Sequence, residues 1–175
     1  MNKKYYNWKD VTSAATSIAM QMYKDNYRPD YIVGITRGGL PLATILSHMT
    51  NIPMETLKVQ LRASEQCETN CWMSEDAFGY VSDQATYKSR WDVSQRKKIL
   101  IVDDINDTGA TFDWIKEDWR SGCLPGEDTW DTVWHNTVKF AVMTDNLSSS
   151  FKTDYAWDEV NKAENDVWLV YPWEA

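Results

Sequence analysis

The amino-acid sequence predicts an α/β fold with a mainly parallel, twisted sheet flanked by helices. Three short runs, at 31–36, 99–102 and 138–143, consist mostly of β-branched and aliphatic residues, and such runs are typical of strands buried on both faces. Helical patterns alternate with them, which favours parallel strands joined by helices. The 175 residues suit one domain, so we expect a single domain over 1–175.

The first part of the chain predicts two helices and two strands. Apolar side chains recur at helical spacing over 11–24, and the strand Y-I-V-G-I-T follows at 31–36. A tight R-G-G turn then leads into a helix over 40–49, in which Pro41 suits the first turn. The loosely alternating stretch at 54–61 predicts the next strand.

The second part begins with a polar stretch at 62–96 that shows little periodicity. It is either disordered or a functional lid, with room for a small hairpin. After the strand at 99–102, a helix opens with T-G-A-T and ends near Gly122. The strand at 138–143 follows, and two extended pieces, D-Y-A-W and V-W-L-V-Y, come last.

The charge and hydropathy of the chain exclude some classes of function. A net charge of −8 and a pI of about 4.7 argue against general nucleic-acid binding, which needs a basic face. There is no apolar run long enough to span a bilayer, and M-N-K-K-Y-Y-N-W lacks the apolar core of a signal peptide. We therefore expect a cytoplasmic protein with no nucleic-acid or membrane partner.

The three cysteines, Cys67, Cys71 and Cys123, are an odd number and do not predict a disulfide framework. His48 and His135 do not complete a recognisable zinc ligand set with them. We expect free thiols rather than structural zinc.

Two loops are expected at the same edge of the predicted sheet. Arg37-Gly38-Gly39 follows the strand at 31–36, and the segment from Asp103 to Thr111 follows the strand at 99–102. In sheets of this kind, ligands bind beyond the carboxyl ends of the strands. This edge is therefore the predicted binding site.

The segment Asp107-Thr108-Gly109-Ala110-Thr111 predicts an anion site. Small and hydroxyl residues at a strand-to-helix turn expose backbone N–H groups at the N-terminus of a helix, an arrangement that suits a phosphate monoester. The alternative is an ordinary helix cap, with Asp107 or Thr108 as the capping residue.

The adjacent acids Asp103 and Asp104 predict a second part of the same site. Carboxylates beside a phosphate site accept hydrogen bonds from the vicinal hydroxyls of a ribose, directly or through a divalent metal. The run K-K-I-L-I-V-D-D also suggests the first strand of a receiver domain, but too few residues follow Asp103 for that fold. A phosphorylated sugar therefore accounts best for the whole loop.

The pattern I-L-I-V-D-D-I-N-D-T-G-A-T resembles the 5-phosphoribosyl-1-pyrophosphate (PRPP) motif of type I phosphoribosyltransferases. G-I-T-R-G-G-L resembles the pyrophosphate loop of that family. The tail D-V-W-L-V-Y-P-W-E resembles the base-binding segment of bacterial xanthine-guanine (6-oxopurine) phosphoribosyltransferases. The resemblance implies the type I fold, with a small base-binding hood over 145–175 and a lid over 62–96.

The resemblance also implies roles for individual residues. Asp103 and Asp104 would bind the ribose hydroxyls and the cofactor Mg²⁺, and Arg37 and Gly38 would bind the pyrophosphate, often across a non-proline cis peptide. The 5′-phosphate would be bound by Asp107, Thr108, Gly109, Ala110 and Thr111. Asp107 would also take the N7 proton of the purine as the general base. Further candidates to reach the pyrophosphate are Arg62, Lys88 and Arg90.

Trp168, Leu169 and Glu174 would form the base site, with Trp168 stacked on the purine, although a core tryptophan is the alternative. Glu174 would contact the polar edge of the base or only cap the terminus. The 6-oxopurine enzymes of that family carry a lysine just after the fourth strand that donates to the purine O6, and this chain has no lysine there. The corresponding segment, 143–146, reads M-T-D-N, in which Asn146 could donate instead or Asp145 could favour an amino group; Lys139 comes too early and Lys152 too late.

The implied function is an enzyme of purine salvage that transfers the phosphoribosyl group of PRPP to guanine, xanthine or hypoxanthine and releases pyrophosphate. The absence of a lysine at 143–146 leaves two alternatives open. One is a catalytically weak regulatory protein that binds PRPP or nucleotides, and the other is transfer to a non-purine acceptor. The resemblance further implies a homo-oligomer, either a dimer or a tetramer.

Overall fold

The computed structural model describes residues 2–59, 71–83, 88–123 and 127–174. The strands in this part of the chain are, in order, β1 (Asn2–Tyr5), β2 (Tyr31–Thr36), β3 (Met54–Lys58), β4 (Tyr80–Asp83), β5 (Lys88–Trp91), β6 (Ile99–Asn106), β7 (Val138–Asn146), β8 (Tyr155–Val160) and β9 (Val167–Val170). The helices are α1 (Trp8–Lys24), α2 (Leu40–Thr50), α3 (Cys71–Phe78), α4 (Ala110–Gly122) and α5 (Glu127–Trp130).

Five of these strands form one sheet in the order β3-β2-β6-β7-β8, and every neighbouring pair is parallel. The predicted fold class, a mainly parallel sheet flanked by helices, is confirmed. β2 and β6, which precede the two predicted ligand loops, are direct neighbours near the centre. Their carboxyl ends therefore bring the two loops together.

The hydrophobic core lies on both faces of this sheet. Ile99 and Ile101 of β6 pack on one face with residues of α3 and α4. Leu100 and Val102 pack on the other face with residues of α1 and α2. Because successive side chains of a strand point to opposite faces, a strand covered on both sides needs an unbroken apolar run, as I-L-I-V provides.

Several elements extend beyond their predicted bounds. α1 begins at Trp8 rather than residue 11, because the Asn7 side chain accepts hydrogen bonds from the N–H groups of Lys9 and Asp10 and caps the helix. β6 continues past residue 102 to Asn106, because Asp103, Ile105 and Asn106 remain paired with β7.

The hood includes a strand from the start of the chain, a pairing that was not predicted. β9 forms a separate two-stranded parallel sheet with β1, the first strand of the chain. The extended piece D-Y-A-W, by contrast, lies in β8 at the edge of the main sheet. The N-terminal and C-terminal segments therefore build this region together.

The predicted hairpin within 62–96 is formed by β4 and β5. The preceding helix α3 was not predicted, and its side chains Met73, Ala77 and Phe78 are buried in the core. A lid role stays a prediction for the rest of the segment. Arg62 and Cys67 lie outside the described residues. In the part of the chain that is described, no helix is long and apolar enough to cross a bilayer.

Candidate active site

A pocket of about 610 Å³ opens at the carboxyl ends of the central strands. Its lining consists of Arg37, Gly38, Pro41, Asp104, Trp173 and Glu174. Four of these were predicted as site residues from separate parts of the sequence. The structure brings the R-G-G turn, the acidic pair and the end of the chain to one cavity.

The turn between β2 and α2 lies directly against the end of β6. A Cβ atom at Gly38 would be 2.2 Å from Oδ2 of Asp104, and a Cβ at Gly39 would be 2.4 Å from the carbonyl oxygen of Val102. Gly39 requires glycine because its backbone touches the backbone at the end of β6, whereas Gly38 leaves room for the carboxylate of Asp104. The peptide bond between Thr36 and Arg37 is cis.

Asp103 and Asp104 are two adjacent carboxylates in a poorly solvated place. Asp103 is only 9% exposed, while Asp104 lines the pocket. Burial raises the pKa of Asp103 well above its usual range, and the charge of Asp104 raises it further. Burial likewise raises the pKa of Asp104, and the charge of Glu174 adds to this effect.

This pair fits a hard divalent cation. Within the described ranges, no lysine, arginine or histidine forms an ion pair with Asp103 or Asp104. No group of three or more candidate metal ligands occurs there either. Mg²⁺ characteristically binds one or two carboxylates and takes its other ligands from water and substrate phosphates. Two acids beside an open pocket suit that kind of site.

The loop from Asp107 to Thr111 joins β6 to α4. Its helix begins at Ala110 with Gly109 in the capping position, at a φ of 92° and without a side-chain cap. The capping position is therefore Gly109 rather than Asp107 or Thr108, because the chain turns into α4 through the left-handed conformation of Gly109. The hydroxyl of Thr108 nevertheless accepts a hydrogen bond from the N–H of Ala110 at 3.3 Å. The first-turn amides have no intrahelical acceptor, which suits an anion.

The loop after β7 supports this turn. The N–H and the hydroxyl of Ser150 both donate to the carbonyl oxygen of Thr108, at 3.3 and 2.9 Å. A Cβ at Gly109 would be 2.7 Å from Cβ of Phe151. The predicted phosphate loop is therefore packed closely against a second loop.

Asp107 is half exposed and has two partners near its carboxylate. Nδ2 of Asn146 lies 2.9 Å from the main-chain oxygen of Asp107 and 3.3 Å from its Oδ1. Nζ of Lys162 lies 3.0 Å from the same Oδ1. Lys162 was not predicted as a site residue, because it follows β8 and meets Asp107 only in the folded chain.

The base-site predictions have different outcomes. Trp168 lies on β9 and is 54% exposed, so the alternative of a core tryptophan is wrong. The side chain of Leu169 is buried in the core, so only its main chain is left to face a ligand. Glu174 lines the pocket, and its Oε2 accepts a hydrogen bond from the N–H of Tyr171 at 3.0 Å.

Trp173 is a pocket residue that the sequence analysis did not single out. Its ring stacks on Tyr171 with a centroid distance of 5.1 Å, and Tyr171 stacks in turn on Tyr6 at 5.1 Å. Trp8 contacts the ring of Trp173 at 5.9 Å. Trp173 and the Tyr171 ring behind it form the aromatic wall of the pocket. This wall packs against Tyr6 and Trp8, which lie near the start of the chain.

The two lysines that lie before and after 143–146 in the sequence are engaged or exposed away from the pocket, while Lys88 and Arg90 stay predicted candidates for the pyrophosphate. Lys139 pairs with Asp25 at the end of α1, and Lys152 is exposed. Lys88 and Arg90 belong to β5. Cys123 is a buried free thiol.

Comparison with known proteins agrees with this geometry. A family model described as a phosphoribosyl transferase domain matches residues 1–173. Saccharomyces cerevisiae xanthine phosphoribosyltransferase 1 is 21% identical over 188 residues, covering 99% of this chain and 90% of the relative. Schizosaccharomyces pombe hypoxanthine-guanine phosphoribosyltransferase is 26% identical over 195 residues, covering 98% and 88%.

Among solved structures, the purine phosphoribosyltransferase from Pyrococcus horikoshii Ot3 is similar with a TM-score of 0.66 and 25% identity. The match covers 100% of this chain and 96% of that protein. Together with the parallel sheet, it confirms the predicted type I fold.

Proposed function

Because the chain belongs to the phosphoribosyl transferase domain family, we propose that it transfers the 5-phosphoribosyl group of PRPP to a purine base. The products are a nucleoside monophosphate and pyrophosphate, as purine salvage requires. The observation that carries this proposal is the pocket in which Arg37 and Gly38 meet Asp104, beside the phosphate loop. The names of the two yeast relatives support the choice of purine bases.

In this proposal, Asp103 and Asp104 bind the ribose hydroxyls and Mg²⁺. When bound, Mg²⁺ would neutralise the negative charge that develops on the departing pyrophosphate. The guanidinium of Arg37 would act on the same group from the opposite loop, while the backbone at Gly38 approaches it closely. The raised pKa values of the two acids support a cation site, since a cation would offset their burial.

The 5′-phosphate is assigned to the segment from Asp107 to Thr111. Thr108 and Thr111 contribute hydroxyl groups, and Gly109 and Ala110 contribute backbone N–H groups at the start of α4. Gly109 in the capping position has no side chain that could accept from the first-turn amides, and this supports the assignment, because a phosphate would accept from amides that have no intrahelical partner. The N–H of Ala110 donates to the hydroxyl of Thr108 at 3.3 Å, so that hydroxyl lies at the same place.

Asp107 is assigned as the general base. The purine N9 forms a bond to the anomeric carbon of the ribose, and the pyrophosphate leaves with the electron pair of the broken C–O bond. The proton on N7 then passes to the carboxylate of Asp107. The half-exposed carboxylate at the end of β6 supports this role, since it remains accessible to a base while its backbone is fixed by Asn146.

The purine is assigned to the hood over 145–175. Trp168 would stack on the ring through its exposed indole, the main chain of Leu169 would face the base, and Glu174 would lie near its polar edge. A lid within 62–96 would exclude water, which otherwise hydrolyses PRPP. We also propose a cytoplasmic homo-oligomer, a dimer or a tetramer, with no nucleic-acid or membrane partner.

Substrate profiling tests the proposal. The protein is incubated with Mg²⁺ and PRPP in the presence of each purine base, and loss of PRPP and formation of the monophosphate are followed together. Consumption of guanine, xanthine or hypoxanthine supports the proposal. Tight nucleotide binding without turnover would support the regulatory alternative, and turnover with only a pyrimidine or another acceptor would support transfer to a non-purine.

A further inference from the structure

The contact between Lys162 and Asp107 places a donor beside the proposed general base. Nζ of Lys162 lies 3.0 Å from Oδ1 of Asp107. The lysine side chain is 22% exposed and that of the aspartate 48% exposed, so the pair faces solvent on one side. A cation and a carboxylate at this spacing present one donor and one acceptor side by side.

The position of Lys162 is fixed through the buried amide of Asn146. Nδ2 of Asn146 donates to the main-chain oxygen and to Oδ1 of Asp107. Its Oδ1 accepts from the N–H of Lys162 at 3.0 Å and from the hydroxyl of Ser148 at 2.9 Å. One amide therefore joins the segment after β8 to the phosphate loop.

Asn146 and Asp145, which the sequence offered as contacts for the base in place of the missing lysine, already form hydrogen bonds within the protein. The amide hydrogens of Asn146 serve Asp107. Oδ1 of Asp145 accepts from Asn106 at 2.7 Å, and Oδ2 accepts from the Thr153 hydroxyl at 3.0 Å. Lys162 has further N–H groups beyond its ion pair, because an ammonium carries three donors.

The edge of a 6-oxopurine matches this pair chemically. N7 and O6 are neighbours that a single side chain can bridge, whereas adenine presents an amino group in place of O6. In the base that reacts at N9, N7 carries a proton and O6 is an acceptor. An acceptor beside a donor on the protein complements that edge, while an amino group would face the ammonium unfavourably.

We propose that Lys162 is a specificity-determining residue that donates to the 6-oxo oxygen of the purine whose N7 proton Asp107 accepts. This inference rests on the proposed function and names its substrate class as 6-oxopurines. Lys162, in the segment after β8, supplies the donor to the purine that residues 143–146 at the end of β7 lack.

Binding of nucleoside monophosphates tests the role of Lys162 without turnover. Dissociation constants of IMP, GMP, AMP and purine riboside 5′-monophosphate are measured by calorimetry for the wild type, Lys162→Met, Lys162→Arg and the control Lys152→Met. Loss of a charge-assisted hydrogen bond is expected to weaken IMP and GMP by about tenfold or more, with little change for the two ligands that lack O6. Lys162→Arg is expected to restore part of the affinity, and Lys152→Met to match the wild type.

Two results would overturn the inference: unchanged IMP and GMP affinity in Lys162→Met, or equal weakening of all four ligands, which would mean that Lys162 acts only by holding Asp107. A wild type without preference for IMP over AMP would also overturn it. Failure of the wild type to consume any purine base would instead contradict the proposed function, and the binding series would still decide the role of Lys162.

Discussion

A Cβ atom added to Gly38 would lie 2.2 Å from Oδ2 of Asp104, a separation that two non-bonded atoms do not adopt. Gly38→Ala must therefore displace the carboxylate or the turn. We expect a KM for PRPP raised by at least about tenfold and a free energy of unfolding lowered by about 1–3 kcal/mol, as for other overpacked sites. Steady-state kinetics and urea unfolding measure the two effects.

Gly122→Ala is a matched control for that substitution. A Cβ there would meet only Oγ of Ser74, at 3.4 Å, and alanine favours a helix over glycine by about 0.5–1 kcal/mol. Unchanged kinetics in Gly122→Ala are expected. A Gly38→Ala protein with normal PRPP affinity would contradict the assigned contact between the two loops.

Asp107→Asn removes the proposed proton acceptor and keeps the shape of the side chain. We expect kcat to fall by about 10²–10⁴-fold, with a much smaller change in PRPP affinity, since the backbone of the phosphate loop stays in place. Rapid-quench measurement of monophosphate formation separates chemistry from product release. Asp113→Asn, an exposed acid in the first turn of the same helix, should leave kcat unaltered; equal losses in both variants would argue for a general charge effect.

Removal of Mg²⁺ should abolish turnover reversibly. Asp104→Asn should raise the Mg²⁺ concentration needed for half-maximal activity and lower kcat. Because burial raises the pKa of both acids, and the charge of Asp104 raises that of Asp103 further, the same variant should not lower the melting temperature measured without metal. Normal activity in excess chelator, or a normal Mg²⁺ dependence in Asp104→Asn, would count against the metal assignment.

The two C-terminal tryptophans should respond differently to substitution. Trp168 is 54% exposed, so Trp168→Ala should raise the KM for the base and leave stability nearly unchanged. Trp173→Ala removes stacking with Tyr171 and should lower the free energy of unfolding by about 0.5–1.5 kcal/mol or more. Comparison of base KM with thermal unfolding checks both variants; unaltered base KM in Trp168→Ala would exclude stacking.

Stability at acidic pH should depend on Asp158. Its carboxylate on β8 accepts hydrogen bonds from Lys4 of β1 and from Tyr6. Burial raises its pKa, but hydrogen bonds from Lys4 and Tyr6 outweigh burial and hold the pKa below its usual value. Its stabilising contribution should therefore be full above about pH 3.9, the unfolded value, and be lost as pH falls through the lower folded pKa.

The difference in unfolding free energy between the wild type and Asp158→Asn should shrink in that acidic range. Urea titrations at several pH values measure it. If the difference in unfolding free energy instead grew as the pH fell, the pKa of Asp158 would be raised rather than lowered by folding.

Much of the site follows from local sequence. Continuous aliphatic runs mark the strands that are covered on both faces, and small or hydroxyl residues after β6 mark the turn into α4. Such elements can be predicted from their own residues, because burial on two faces and left-handed turns restrict the residue types that a position accepts. The position of Gly109 at the helix start, with a φ of 92°, illustrates it.

Other parts of the site depend on contacts between distant segments. β1 is short and mostly exposed, so N-K-K-Y carries little strand signal apart from its pairing with β9. Lys162 and Trp173 acquire their positions from tertiary packing. The extension of β6 through Asp103 was missed because acids are unfavourable in strands, a preference that pairing with β7 overrides here.

The pairing of β1 with β9 also bears on the order in which the molecule folds. Asn2 is aligned with Val167 and Tyr5 with Val170, so the partners are separated by nearly the whole chain. Such contacts form late because loop closure must be overcome first. During synthesis, the first strand has to wait until residues 167–170 have left the ribosome. We therefore expect the aromatic wall of the pocket to be the last part to become native.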